Sequence, residues 1–430
     1  MDFKDDKKLS AASRNLDLYL LLSRLLFQNG ASASRIIDSV ARLRTYLGDP
    51  DVNVMLAYEA ISVTVESGNH LETKVGRRRS VAVMNVRVLA GISYLLETMK
   101  SRNLDVVDIR RELKQLTDDE KLNWPLWITT LALAFAAAGF GLLNGADYWA
   151  LAAIMPSALL IGYLRHYFTH IKFHSHAALF LSTMIGTIVC SSLLNFTETS
   201  TSLVAIIAIL LPLVPGFPLI NGGIDIFCNY NSIGLGRWIF AMMTVWILLI
   251  SLAIPMHIYP TEFTNIAIYH VDGIGYNVIR DGVIAGIASL ALAIMMKSPL
   301  RMWLWFFCGG LLARAIRTYL VIGLHYSLPG GAFWGAIVIS CLAFFAGNYY
   351  RVPASICAMI CVLPMIPGYL IINGINNLLY ILDMGHLKNI TFSFTMQTAS
   401  FLLNSIYIIA ALITGIIFPL MVIQRRLPRI

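Results

Sequence analysis

Ten apolar segments fill the chain beyond residue 123, at about 124–143, 147–164, 175–195, 202–224, 236–256, 278–297, 302–322, 330–347, 354–378 and 398–423. Each is long enough to cross a hydrocarbon core of about 30 Å as a helix. Lipid offers no hydrogen bonds, so a spanning segment must satisfy its own backbone, and a helix does so within one segment. A soluble enzyme, a disordered chain and a fibrous protein are thereby excluded. Composition agrees: 57% of residues are hydrophobic and 13% charged, against about 25% charged in a soluble domain. The charges are concentrated at the front. Residues 1–122 hold 19 Lys/Arg and 17 Asp/Glu, and residues 123–430 only 13 and 7. The chain is therefore a polar domain followed by a membrane domain. Its formal net charge of +8 is no nucleic-acid footprint, because the basic residues of the membrane part lie mostly between apolar segments, where orientation signals belong.

The front domain, 1–122, reads as α+β. Leu16, Leu20, Leu21 and Leu25 recur at helical spacing up to Asn29-Gly30, and Ile36, Ile37, Val40 and Leu43 give a second helix ending at Gly48. The period then drops to two. Val52, Val54 and Leu56, then Ile61, Val63 and Val65, alternate with polar residues as half-buried strands do. A third strand is expected over 72–76, with helices at about 85–100 and 106–116. Arg77, Arg78 and Arg79 suit a phosphate or an anionic lipid, or simply a solvated turn. No nucleophile motif, phosphate-binding glycine loop or metal cluster is legible, and no signal peptide is expected, since Asp17 and Arg24 break the first apolar run.

With the polar domain placed in the cytoplasm, the inside loops and tail receive Arg165, Lys172, Arg237, Lys297, Arg301, Arg351, Arg425, Arg426 and Arg429. The outside loops receive only Arg280 and Lys388. That asymmetry is a positive-inside signal and places both termini in the cytoplasm. A repeat constrains the topology further. Leu211-Pro-Leu-Val-Pro-Gly-Phe-Pro-Leu-Ile-Asn-Gly222 matches Leu363-Pro-Met-Ile-Pro-Gly-Tyr-Leu-Ile-Ile-Asn-Gly374 at seven of twelve positions, with an offset of 152. At the same offset Arg165 and Tyr167 meet Arg317 and Tyr319. The membrane part therefore reads as two five-helix copies, 123–274 and 275–430. Five is odd, so the second copy is inverted, the arrangement on which alternating-access transporters are built.

The repeated motif is abnormal for a spanning helix. Pro212, Pro215 and Pro218, and in the second copy Pro364 and Pro367, remove backbone donors and clash with the preceding turn. Paired interruptions at matching places point to a transport site. The candidate substrate-binding residues are Pro215, Gly216, Asn221, Pro367, Gly368, Asn373 and Asn377; the plainer alternative is a pair of kinks with the asparagines bonding between helices. Ionisable residues within a membrane are functional suspects. Asp225 alone follows a broken-helix motif, and its repeat partner is Asn377, so it is the candidate coupling acid, unless it merely faces water at the cytoplasmic interface. Arg314 and Arg317, one turn apart, either neutralise a substrate or carboxylate or snorkel to the outer interface. Asp281 opens the sixth segment beside Arg280. His166, His170 and His174 recur every four residues, without an acid or thiol beside them. They read as a solvated loop, with a metal or a pH sensor as the alternatives. The six cysteines imply no disulfide framework, and Cys357 and Cys361 read as packing residues. No metal and no cofactor is expected.

Leu25-Leu-Phe-Gln-Asn-Gly-Ala-Ser-Ala-Ser-Arg35, Val88-Leu-Ala-Gly-Ile-Ser-Tyr-Leu-Leu96, the ten segments and Asn221-Gly-Gly-Ile-Asp225 together resemble the bacterial threonine/serine exporter family. That family also occurs as two separate chains, divided where the repeat boundary falls. The resemblance implies export of small hydroxy amino acids, or of dicarboxylates such as succinate in the two-chain form, driven by the proton gradient across the bacterial inner membrane. The expectation is thus a multi-pass secondary exporter of small polar carboxylates, not an enzyme. Its partners would be substrate, protons and lipid, with room for a homo-oligomer. The rivals are a channel, and a membrane-anchored sensor or enzyme acting through residues 1–122.

The inverted topology makes a direct prediction. In a background without native cysteines, Thr199→Cys should react in intact cells with an impermeant thiol reagent, and Pro299→Cys should not. The reverse pattern would exclude this orientation.

Overall fold

The computed structural model describes residues 3–49, 51–67, 70–77, 84–118, 124–258, 273–382 and 392–426. Lys388, assigned to an outer loop from the sequence, lies outside the described residues, as do Arg78, Arg79 and Arg429.

The front domain opens with two helices, α1 (Phe3–Gln28) and α2 (Ala33–Leu47). An antiparallel three-stranded sheet follows: β1 (Asp51–Leu56), β2 (Ala60–Ser67) and β3 (His70–Arg77), in the order β1-β2-β3. The register pairs Val54 with Val63 and Val63 with Lys74. Ile61, Val63 and Val65 are buried while their neighbours point outward, the alternation expected of a sheet with one covered face. α1 lies over β2 and β3 and supplies the fully buried Leu18, Tyr19 and Leu22. The third strand is longer than the expected 72–76, because pairing with β2 carries it to Arg77. The helices α3 (Val86–Thr98) and α4 (Val106–Asp118) complete the domain, with the Asn85 side chain capping α3 through the Val88 amide.

Among the described residues ten helical segments follow, each bent pair counted as one. In the first half they are α5 (Leu126–Leu143), α6 (Leu151–His170), α7 (Ser175–Leu194), a bent pair α8 (Ser202–Ala208) and α9 (Gly216–Phe227), and α10 (Asn231–Ile258). In the second they are α11 (Ile274–Met295), α12 (Trp303–Thr318), α13 (Leu328–Tyr350), a bent pair α14 (Ala354–Val362) and α15 (Gly368–Leu382), and α16 (Phe392–Arg426). Among the described residues seven helices are long and apolar enough to cross a membrane, or nine if each bent pair is one span. The remaining segment, α6, is 20 residues long and carries Pro156, Arg165 and two histidines.

The two halves pack alike. α5 lies on α6, α6 on α7, and α10 on both α7 and α9; in the second half α11 lies on α12, α12 on α13, and α16 on both α13 and α15. Between the halves α5 packs on α11, and α9 on α16 matches α10 on α15. Small residues permit the close crossings. A methyl group at Gly286 of α11 would lie 2.8 Å from the Phe307 carbonyl oxygen of α12, and one at Gly335 of α13 2.7 Å from the Ala313 carbonyl oxygen. Apolar area gives no net drive for helix association in lipid, so such backbone approach is what holds a bundle.

The front domain sits on one end of this bundle. The Val86 amide donates to the Met296 carbonyl, Trp124 Nε1 donates to the Ser298 carbonyl, and Arg351 approaches Glu97 at 3.7 Å. The C-terminal ends of α11 and α13 and the start of α5 therefore share the domain-bearing end.

Gly286→Val should lower stability by about 1–3 kcal/mol, since the backbone it meets cannot yield as a side chain can. Gly275→Ala, where a methyl group meets nothing within 4 Å, should stay within about 0.5 kcal/mol of the native protein. Thermal unfolding in detergent measures both.

Candidate functional site

Both Pro-Gly motifs break their helices. After α8 a 3-10 turn at Leu211–Leu213 gives way to α9 at a bend of 54°, and after α14 a 3-10 turn at Leu363–Met365 gives way to α15 at 49°. Pro215, at φ −76° and ψ 60°, forms the centre of an inverse γ-turn in which the Gly216 amide donates to the Val214 carbonyl at 2.7 Å. The Gly368 amide repeats this on the Ile366 carbonyl at 2.8 Å. The two breaks face each other. A side chain at Gly216 would strike Ile366, and one at Gly368 would lie 3.1 Å from Leu211 Cδ2 and 3.5 Å from Val214. Two helix N-termini, each with first-turn amides that no intrahelical carbonyl accepts, thus open beside an apolar seam.

Of the expected asparagines and acid, Asn221 and Asp225 lie on the buried side of α9, at 2% and 1% exposure. Neither faces the break. Both hold the turn between α1 and α2. Asn221 Nδ2 donates to the Gly30 carbonyl at 3.0 Å, and the Ala33 amide donates to Asp225 Oδ1 at 2.8 Å. Ser32 makes no side-chain cap bond for α2, so Asp225 supplies the cap from the other domain. Arg237 of α10 completes the cluster, with Nη1 3.1 Å from Asp225 Oδ2, Nη2 donating to the Ala31 carbonyl at 2.6 Å, and the guanidinium over the Phe27 ring. Gly30 has a φ of +89°, and a methyl group there would lie 2.8 Å from the Phe217 ring. Phe27, Gly30, Tyr58, Phe217, Pro218, Arg237 and Phe240 enclose a space of about 20 Å³, enough for one water.

Arg237 corrects the sequence reading. It is no loop charge, because α10 starts at Asn231 and buries it at 5% exposure. Asp281 is corrected likewise. It does not open its helix, since α11 begins at Ile274 and places the residue two turns inside at 0% exposure; Arg280, assigned to a loop, is in the same helix.

A second buried cluster centres on Asp281. Its Oδ1 accepts from Arg280 Nη2 at 3.0 Å, its Oδ2 accepts from the Thr318 hydroxyl at 3.1 Å, and Arg314 Nη2 lies 3.6 Å from Oδ2. Arg314 turns inward and also donates to the Leu143 carbonyl at the end of α5, at 3.4 Å. Arg317 Nη1 donates at 3.4 Å to the carbonyl of Met365, the last residue of the 3-10 turn before the second break. Asn277, one turn ahead of Asp281, is fully buried, and neither side-chain atom has a hydrogen-bond partner. Asn373 and Asn377 of α15 are also buried, with oxygens that accept no hydrogen bond. Thus Arg314 stands with Asp281 and Arg317 reaches the second break, whereas Asn221 and Asp225 stand with the front domain.

Asn277 and Thr318 escaped the sequence reading because neutral polar residues are ordinary in helices. The pairing of Asp281 with Arg314 was open to it, as opposite charges inside two adjacent apolar runs. The histidines are split by the end of α6: His166 and His170 close that helix, while His174 precedes α7 with its ring centroid 5.6 Å from that of His176. Among the described residues no group of three or more His, Cys, Asp or Glu is placed to hold a metal. Cys357 and Cys361 are buried in α14. Outside the bundle, Asp147 ties two loops together through the Ala150 and Ser200 amides and the Thr199 hydroxyl. Burial opposes its ionisation, but these bonds prevail and hold the carboxyl below its usual range. A cavity of about 300 Å³ opens between α1 and α4, lined by Asp17, Leu20, Leu21, Arg24, Arg110 and Lys114.

Residues 17–259 match the family described as "Putative threonine/serine exporter", and residues 281–422 the one described as "Threonine/Serine exporter, ThrE". The chain belongs to the threonine/serine exporter family. Its relatives include a protein of Klebsiella aerogenes, named "Probable succinate transporter subunit YjjP", 27% identical over 221 residues that make up 51% of this chain and 83% of that protein. The protein of the same name from Escherichia coli (strain K12) is 25% identical over 219 residues, 51% of this chain and 84% of its own length. An uncharacterized protein of Haemophilus influenzae is 23% identical over 124 residues, 29% of this chain and 40% of its own length. No solved structure matches. Family and helix content together make this chain a multi-pass membrane exporter.

Proposed function

We propose that the protein is a secondary active exporter of threonine and serine, coupled to the proton gradient across the bacterial inner membrane. In this reading ten spans form two inverted repeats, 123–274 and 275–430, behind a cytoplasmic domain, 1–122, and both termini are cytoplasmic. The observation that carries it is the pair of reciprocal helix breaks, at matching positions of two similarly packed halves. A channel would share the paired breaks but show no coupling to an ion gradient. Two-sided access around a shared centre uses such breaks as hinges of one half against the other.

The helix N-termini that open after Pro215–Gly216 and Pro367–Gly368 suit a substrate carboxylate, where the helix dipole favours negative charge. Asn221, Asn373 and Asn377 would orient the cargo as the bundle opens. The turn between α1 and α2 bears on α9 from Phe217 to Asp225, so access from the cytoplasm requires that turn to leave. Asp225 is the coupling group of this reading. Neutralising it removes its attraction for Arg237 and weakens its acceptance of the Ala33 amide, so its protonation state and the seating of the soluble domain are linked. A dicarboxylate is the second reading of the cargo, favoured by the printed names of the two transporter relatives.

Asp225→Asn should abolish the response of export to an imposed pH gradient, while exchange of substrate down its own gradient survives, since Asn keeps the size and one acceptor. Arg237 would be left buried without its charge partner, a loss of about 3–5 kcal/mol, so Asp225→Asn/Arg237→Gln is measured alongside. Export per folded molecule in vesicles, with and without the gradient, reads the result. Full gradient-driven export by either variant would remove Asp225 from coupling.

A further inference from the structure

We propose that Asp281 and Arg314, with Asn277 and Thr318, form a cargo-reading site that accepts an ammonium beside a carboxylate, and that Asp281 rejects cargo lacking the ammonium. This rests on the exporter reading and names the residues that choose its substrate class.

Burial is the first support. Asp281 and Asn277 are 0% exposed, Thr318 3% and Arg314 5%. Charges seldom stay at such depth in a membrane bundle unless they serve the cargo or one another. The separation is the second. Arg314 Nη2 stands 3.6 Å from Asp281 Oδ2, whereas charge-assisted bonds close to about 2.7–2.9 Å. The pair attracts but is not in tight contact. An α-amino acid carries its ammonium and carboxylate on one carbon, so it can enter such a pair with each charge meeting its opposite.

Asn277 is the third and independent observation. Both of its side-chain polar atoms lack a partner, although a buried amide normally finds several. It lies four residues before Asp281, hence on the same face of α11. A small hydroxyl on the cargo would give this amide the partner that the protein does not. Thr318, which already donates to Asp281, ends α12, where the chain passes into a single π turn at Tyr319–Gly323. Such turns are uncommon and recur at functional sites.

Two further charges, Arg280 and Arg317, lie near the cluster. Arg280 is bonded to Asp281 from a position whose side chain is 30% exposed, and Arg317 is turned to the Met365 carbonyl at the second break. Arg280 takes Oδ1 of Asp281 from the more exposed side, and Oδ2 is left facing Arg314, so the buried side presents one acid oxygen opposite one base, a pairing suited to a zwitterion. A dicarboxylate would place one of its charges against Asp281, and that repulsion is the selection.

The test uses the full chain in lipid nanodiscs, with calorimetric titration of threonine, N-acetylthreonine, which lacks the ammonium, and succinate. The native protein should favour threonine over both. Asp281→Asn should cut threonine affinity tenfold or more and leave N-acetylthreonine unchanged, so the discrimination collapses. Asn277→Ala should weaken threonine binding severalfold without lowering the melting temperature of the unliganded protein, because the amide it deletes has no protein partner; this variant also decides the matter should Asp281→Asn fail to fold. An unaltered threonine preference in both variants, with threonine export by the native protein intact, overturns this site and spares the exporter reading. Failure of the native protein to bind or move any of the three compounds overturns both.

Discussion

A helix broken inside an apolar bundle has carbonyls and amides that lipid cannot satisfy. That constraint organises the structure around residues 215 and 367. Part of the debt is met locally, by the tight turns in which Gly216 and Gly368 donate to the carbonyls two residues back. Part is met by neighbours, such as Arg317 on the Met365 carbonyl. The rest of the exposure is limited by apposition. Each break is covered by apolar side chains of the other, Ile366 over Gly216 and Val214 over Gly368. Neither break is easily exposed without disturbing the other, so their fates are coupled by packing alone.

The two halves share a backbone plan but not a charge plan. Asp225 faces the soluble domain, and its repeat partner is the uncharged Asn377. Asp281 and Arg314, in turn, lie in the second half, at the far ends of α11 and α12 from the domain-bearing end. The two helix breaks are thus flanked by one buried ion pair toward the front domain and another away from it. Removing one partner of such a pair leaves an uncompensated buried charge. Each pair therefore resists separation of the elements it joins.

The bundle was legible because its cause is local. Lipid demands helices of a set length, so hydropathy located the segments, and Pro-Gly spacing located both breaks to within a residue or two. The front sheet was legible for a similar reason: alternation at Ile61, Val63 and Val65 is fixed by one covered face. What the sequence hid was partnership. The expectation that Asp225 faces substrate or water missed that it caps α2, because that bond joins residues 192 apart. Arg237 passed for a topology signal, since a basic residue near a helix start carries the same local signature whether it faces water or is buried on a carboxylate. Asn277 carried no signal at all; only burial without a partner singles it out.

The front domain meets the bundle mainly through its backbone. Its turn at Gly30–Ala33 supplies only backbone groups to Asn221, Asp225 and Arg237. Backbone groups cannot change their charge, so whatever switches this contact must act on the membrane side, where the carboxylate and guanidinium are, or by shifting α1 and α2 against each other. The first route links docking to protonation of Asp225. The second runs through α1, whose Leu20, Leu21 and Arg24 line the cavity against α4 and whose Phe27 packs against Arg237. Both routes meet at Arg237, which pairs with Asp225, donates to the Ala31 carbonyl and packs on the Phe27 ring.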